Sequence, residues 1–409
     1  MLRRGFSMKM ILFSLFTCLF LISGCATFGV EKVPPTTMYL AQNEIPEEEL
    51  LDVGILVFDS VEMTEEEAKE QGTNARVRKA EEHFIPYHFK STLQRSSHWG
   101  MVRIIPKESA TADVVVKGRI IECNGESLVL QVEVRDATGW LWFDRKFGAD
   151  ATEASYADLQ PGQKDPFQDV YHAVANAIAE QREKLTPEEI RNIRTVSKLS
   201  FAKDFAPDAF GRYLTADKKG ISQVNRLPAE DDPMMKRLMT IRERESMFVD
   251  ALNGYYENFY NGMWPSYENW RKMNLTERVA MAKVKQDAYT RLAAGVALIA
   301  LGALVGIRND FSNPILGGAI VLIGGQVFVS GINISSQAEM HRAAIQELSE
   351  SFDNEMKPLV MEFEGKTYEL TGSAEEQYHR WRELLRQIYL AETGLDEGRS
   401  GETKGAPEK

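Results

Sequence analysis

The clearest periodicity in the chain lies between Leu128 and Arg135, where Leu128, Leu130, Val132 and Val134 alternate with Gln131, Glu133 and Arg135. A period of two puts one set on a buried face and leaves the other in water. Runs of β-branched and aromatic residues predict further strands at Val53–Phe58, Met101–Ile105, Asp113–Ile121 and Trp140–Phe147. Asn124-Gly125 and Asp136-Ala137-Thr138-Gly139 supply turns, because Asn and Gly tolerate positive φ. Helical spacing governs Asn74–Ser97, with Phe84, Phe89 and Leu93 inward and a kink or restart at Pro86. It returns from about Pro166 to Glu183, through Val170, Val174, Ala177 and Ile178. The order β-α-β-β-β-β-α predicts an α+β sandwich domain over residues 49–185.

Residues 186–290 read as mostly helical. Asp232-Pro233 is a start signal, with Asp as N-cap and Pro at the first helical position. From there Met234, Leu238, Ile241, Phe248, Leu252, Tyr255 and Phe259 fall on one stripe, broken by Glu245. That stripe packs on its own domain or forms a seam between subunits. Gly262 and Pro265 end the helix amid Trp264, Tyr267 and Trp270, rings suited to a core or to lipid headgroup level. Residues 335–393 predict a helix, a β-hairpin and a helix. Ile345, Leu348, Phe352 and Leu359 share a stripe after Ser335, and Met361–Leu370 turns at Glu364-Gly365-Lys366. Ser373 with Glu376 is a capping box, opening a helix through Tyr378, Trp381, Leu384, Leu385 and Ile388. The polar, Gly-rich tail 394–409 predicts disorder.

The stretch 291–334 differs from the rest. Leu292–Ile307 and Ile315–Ile334 carry no charge over 16 and 20 residues, and Arg308-Asn309-Asp310 with Asn313-Pro314 separates them. As helices they span roughly 24 and 30 Å, the second matching a ~30 Å hydrocarbon layer. A transmembrane-like helical hairpin is expected, the alternative being a buried hairpin of a soluble core. Gly317, Gly324 and Gly331 are seven apart, as are Gly295 and Gly302, and Gly302 with Gly306 makes a GxxxG. Each helical Gly costs about 1 kcal/mol relative to Ala, a cost that makes sense where two backbones approach closely. These glycines are the candidate packing residues. The hairpin resembles the glycine-zipper hairpins of some outer-membrane lipoproteins, whose spacing is four instead of seven.

The N-terminus is built for export. Arg3, Arg4 and Lys9 precede the 12-residue apolar run Ile11–Ile22, too short to span comfortably, and small residues follow. Ile22-Ser23-Gly24-Cys25 resembles the bacterial lipobox at all four positions; the alternative is an ordinary secretory signal, or a signal anchor, with an incidental Cys. The resemblance implies a signal peptide over 1–24 and a diacylated Cys25 as first mature residue, on a tether of residues 25–48. It also implies sorting to the outer membrane, periplasm-facing, because Ala26 replaces the Asp of inner-membrane retention. Two acyl chains hold a protein stably on a bilayer. The order of elements over 49–185, with Ala112–Gly118 (ADVVVKG) opening a hairpin, resembles the periplasmic α/β domain of the curli-secretion lipoprotein. It is also similar to lipoproteins that activate penicillin-binding proteins and to the N-terminal domain of the Tol-system propeller protein. These resemblances imply a binding or oligomerising module.

Charge and composition narrow the chemistry. The 409 residues carry 48 basic and 60 acidic side chains, for −12, which argues against a nucleic-acid partner. Three cysteines do not make a disulfide scaffold, and with Cys18 in the signal and Cys25 acylated, Cys123 is the one remaining thiol. His83 and His88 are five apart around Pro86, unlike an i, i+4 metal pair, and no GxSxG, GxxxxGK[ST] or GxGxxG occurs. No cofactor, metal or catalytic residue is expected. The chain is read as a non-enzymatic outer-membrane lipoprotein, a structural or assembly component, with secretion as one such assembly. Its expected partners are membrane lipid through Cys25, envelope proteins, and copies of itself through the hairpin. The alternative is a monomeric lipoprotein that regulates an envelope enzyme such as a cell-wall synthase.

Overall fold

The computed structural model describes residues 29–70, 73–107, 112–305, 340–350, 358–363 and 366–393. The molecule is mixed α+β. Its strands are β1 (Glu31–Lys32), β2 (Val53–Leu56), β3 (Asp59–Ser60), β4 (Val102–Ile105), β5 (Val114–Cys123), β6 (Ser127–Asp136) and β7 (Leu141–Asp150). They form one mixed sheet in the order β1-β7-β6-β5-β2-β4, with β3 pairing β5. The central β5-β6-β7 meander is antiparallel, while β2 runs parallel to both β4 and β5. The alternation in β6 is as the pattern requires, with Leu128, Leu130, Val132 and Val134 buried.

Helices α1 (Glu65–Glu70) and α2 (Ala75–Arg95) lie between β3 and β4, and α3 (Gln168–Glu183) follows the sheet. α2 does not restart at Pro86 but runs as one 21-residue helix. A proline removes one backbone donor, here freeing the carbonyl of Glu82. That carbonyl accepts the Phe58 N–H at 3.0 Å from the chain leaving β2, so the lost bond is replaced by a tertiary one. Asn74 caps α2 by accepting from Arg76 and Val77 N–H.

The remaining elements are α4 (Pro187–Phe205), α5 (Pro207–Phe210), the β8–β9 hairpin (Leu214–Ala216 and Ser222–Val224) and α6 (Pro233–Val305). They are followed by α7 (340–350), the β10–β11 hairpin (Leu359–Phe363 and Lys366–Leu370) and α8 (Ala374–Thr393). Asp232 accepts from Met234 and Met235 N–H to start α6, and Ser373 and Glu376 exchange capping bonds before α8. Leu359 sits in β10, not on the stripe of the preceding helix.

The largest departure from expectation is α6, which runs 73 residues through both Gly262 and Pro265. Tyr260, Trp264, Tyr267 and Trp270 bracket Pro265 and are all buried against the body. Burying a large side chain stabilises by about 1.5–3 kcal/mol, so four of them outweigh the ~3 kcal/mol of a helical proline. These rings are therefore core, not headgroup anchors. The α+β unit and α6 share one hydrophobic core, to which Ile345, Tyr378, Trp381 and Leu385 also belong.

Residues 29–48, expected as a tether, are strapped to the body from Gly29 on. β1 pairs in parallel with β7, and Val33 N–H donates to the Gly148 carbonyl. Asp169 and Asn176 of α3 accept the Thr36 and Tyr39 N–H groups, each at 2.8 Å. Pro34-Pro35 precludes regular pairing there, so α3 side chains satisfy the backbone instead.

The β5–β6 turn is pressed against α6. Gly125 has φ +84, and a Cβ there would lie 2.4 Å from the Arg271 carbonyl oxygen. Gly125→Ala should therefore destabilise by ~2–4 kcal/mol in urea unfolding, from overpacking plus left-handed strain. Gly220→Ala, with φ +82 but open space around it, should lose only ~1 kcal/mol. Equal losses at the two positions would contradict the close approach of turn and helix.

Candidate functional site

The most heavily built region of the molecule is the seam where α6 meets the α+β body. Its apolar part is aromatic. Phe84 of α2 stacks on Tyr260 at 4.4 Å and meets Tyr267 edge-on at 4.6 Å, and Trp264 stacks beyond them. Offset and edge-to-face pairs add to what burial alone contributes.

Within this apolar seam lies an ion pair. Arg271 donates from Nη2 to Asp165 Oδ2 at 2.7 Å and from Nη1 to Oδ1 at 3.2 Å, with the two side chains 1% and 0% exposed. Asp165 also accepts the Phe167 N–H at 3.0 Å, just ahead of α3. Burial pushes the Asp165 carboxyl up, but the Arg271 charge and the hydrogen bonds override it and hold the group below the usual carboxylate range. The guanidinium lies over the Tyr267 ring at 4.3 Å.

His88 of α2 sits at the centre of a hydrogen-bonded chain. Gln168 donates to Thr92 Oγ1 and accepts the Asp165 N–H, which fixes its amide, so its Oε1 accepts from His88 Nε2–H at 2.8 Å. His88 Nδ1 then accepts from the Tyr260 hydroxyl at 2.8 Å, and that oxygen accepts the Gly162 N–H at 2.9 Å. Burial lowers the His88 pKa, which keeps the ring neutral as the network requires.

A third set closes the far side. Tyr267 donates to the buried Glu81 carboxylate at 2.6 Å and lies 3.2 Å from Cys123 Sγ. Arg78 reaches the Cys123 carbonyl at 3.1 Å and Glu81 at 3.4 Å. Burial pushes the Cys123 thiol well up, so it stays protonated and inert.

Earlier along α6 the same logic repeats. β4 is the sheet edge, and Asn253 accepts the Ile104 N–H at 2.9 Å while donating to the Ile104 carbonyl at 2.8 Å. One amide side chain thus covers the open edge like a strand residue. Asp250 takes Arg103 in a bidentate pair. Glu245, which breaks the apolar stripe, is fully buried and receives Tyr378 at 2.5 Å and Arg382 at 3.0 Å, drawing α8 onto the helix.

The residues expected from sequence fall elsewhere. Cys25, Gly306, Gly317, Gly324 and Gly331 lie outside the described residues, as does the second arm of the hairpin. Gly295 and Gly302 lie on the α6 backbone. Among the described residues no helix is long and apolar enough to cross a membrane, so the transmembrane hairpin gains no support from them. No group of three metal-ligating side chains is found among the described residues. Of the six histidines, His88 serves the seam, while His98 stacks on Tyr39 and His172 bonds the Thr36 carbonyl under the strap. A surface groove of about 440 Å³ between Glu47, Glu48 and α4 holds Arg191, Arg194 and Lys198, and so mixes both charge signs. Asp165, Arg271 and Asn253 carry no mark in the sequence, while Glu81, which with Glu82 reads there as a charge run on a solvated helical face, is buried instead. The available signal was the Tyr260, Trp264, Tyr267, Arg271 spacing, which continues the helical period past Pro265.

No family model matches the chain, and no curated protein or solved structure matches it either.

The seam should be sensitive to acid. His88 has a folded pKa below its ordinary value of ~6.5, so below that pH the unfolded chain binds a proton that the folded chain resists. Stability is then fully present above pH ~6.5 and falls as pH drops towards the folded pKa. His98 and His172, also lowered first by burial, act in the same direction. His88→Gln should flatten the fall in urea-unfolding free energy between pH 6.5 and 5 by up to ~1.4 kcal/mol per pH unit. An unchanged slope would contradict the neutral buried imidazole.

Proposed function

We propose that the chain is a lipid-anchored envelope component whose work is binding and assembly, not catalysis, with α6 joining a periplasmic α+β body to a charge-free hairpin. The observation that carries this reading is that the hairpin segment is rooted in the body at both ends. α6 is buried through Leu275 and tied to Glu126 by Arg278 at 2.5 Å, and then Val279–Lys283 are exposed as the helix continues to Val305. On the return, α7 packs Leu348 over Gly262 of α6 and buries Ile345 in the common core. At 1.5 Å per residue, about 20 Å of helix separates Arg278 from Leu292, where the charge-free stretch begins. A charge-free stretch that begins this far along the helix from the last body contact fits an apolar partner.

The lipobox-like Cys25 supports the anchor, and the glycines at 317, 324 and 331 support close helix association. The reading makes Cys25 the acylated residue and the hairpin glycines the packing residues of a self-association. The buried titratable groups of the seam are turned onto protein partners, which fits a joint of fixed geometry.

Native mass measurement of the full chain extracted in mild detergent tests this. The mature N-terminal peptide should begin at Cys25 with thioether-linked diacylglycerol, and the complex should exceed one chain. Gly324→Leu should weaken that complex about tenfold or more, as expected for overpacking worth ~1–3 kcal/mol. A retained 1–24 or an unmodified Cys25 contradicts the anchor. A monomer that copurifies with an envelope enzyme favours regulation over assembly.

A further inference from the structure

The two ends of the sheet differ. At one end the β5–β6 turn meets α6 where it leaves the body, through Asn124, Gly125 and Glu126. At the other, the β6–β7 turn presents Trp140 and Leu141, 56% and 39% exposed. The other five tryptophans are each 9% exposed or less, Trp142 among them, buried and donating to Asp136 at 2.9 Å. Gly139 makes the turn with φ +90, and of the two tryptophans that follow it Trp140 is exposed and Trp142 buried.

The hairpin beside Trp140 carries two exposed lysines and one exposed aspartate. The β8–β9 hairpin abuts this turn, with Ser222 N–H donating to the Thr138 carbonyl at 2.7 Å. Its tip exposes Lys218 and Lys219, while the carboxylate of Asp217 is taken up by the Lys219 and Ile221 N–H groups. An exposed Trp beside two lysines gives a local match to anionic phospholipid, because Trp favours the headgroup level and each nearby Lys adds attraction.

The course of the chain points the same way. β1 is parallel to β7 in the register Glu31↔Phe147 and Lys32↔Gly148, so the residues before Glu31 enter from the side where β7 begins. The six residues from Cys25 to Val30 reach at most ~20 Å, and the six steps of strand from Leu141 to Phe147 measure about the same.

We propose that the β6–β7 turn and the tip of the β8–β9 hairpin form a bilayer contact that seats on anionic phospholipid, with Trp140 at the headgroup level. The proposal rests on the acylation of Cys25 advanced above. It also orients the molecule. The ten-residue strands are ~33 Å long, so α6 leaves from the pole facing away from that bilayer and carries the hairpin towards other partners.

Mature full-length chain is mixed with phosphatidylethanolamine/phosphatidylglycerol vesicles bearing brominated acyl chains, floated, and read by tryptophan fluorescence, with the mass of the N-terminal peptide measured in parallel. The floated protein should lose its red-emitting component to bromine quenching. Trp140→Phe should abolish that loss, and Lys218→Glu with Lys219→Glu should reduce it at least twofold. Acylated protein that floats without quenching, or with the same quenching in Trp140→Phe, overturns the contact while sparing the anchor. A chain that neither carries lipid nor floats overturns both.

Discussion

The architecture hangs on a buried charge. Arg271 and Asp165 meet where α6, the loop before α3 and the β5–β6 turn converge, and water reaches neither side chain. Moving either ion alone into such a place would cost several kcal/mol. The pair is tolerable because it is bidentate, because Asp165 also receives a backbone N–H, and because Arg271 lies on an aromatic face. An ion pair of this kind adds little net stability over apolar residues, but it punishes misplacement. A helix shifted by one turn would bury both charges unpaired. The seam therefore specifies one docking of α6 more than it strengthens it.

Specific docking matters for a helix that does two jobs. Its first part is core, paired with the sheet edge through Asn253 and with α8 through Glu245. Its last part continues beyond the body towards the apolar stretch. The buried polar contacts along α6, at Glu245, Asn253 and Arg271, fix its register on the body. The strap formed by residues 29–41 fixes where the chain enters the fold, as the seam fixes α6.

Local features were legible in the sequence and long-range ones were not. Alternation in β6, the turns at Gly125 and Gly139, and the caps at Asp232 and Ser373 depend on neighbours a few residues away, and pattern reading places them. Gly262 and Pro265 read as a stop because helix propensity is local, whereas the rings that carry α6 past them are stabilised by α2, more than 160 residues earlier. Pro86 fails to break α2 for a similar reason, since Phe58 replaces the missing bond. The seam was visible only in outline: the apolar stripe was there, but the partner of Glu245 lies on α8 and that of Arg271 precedes α3, and no spacing rule links them.

A double-mutant cycle on Arg271 and Asp165, read by urea unfolding of the full chain, tests the central claim most directly. Arg271→Met and Asp165→Asn should each cost ~3–5 kcal/mol, because each leaves a buried partner unpaired. The double variant should cost less than the sum by ~2–3 kcal/mol. Additive losses, or single losses under ~1 kcal/mol, would mean that the pair does not hold α6 to the body.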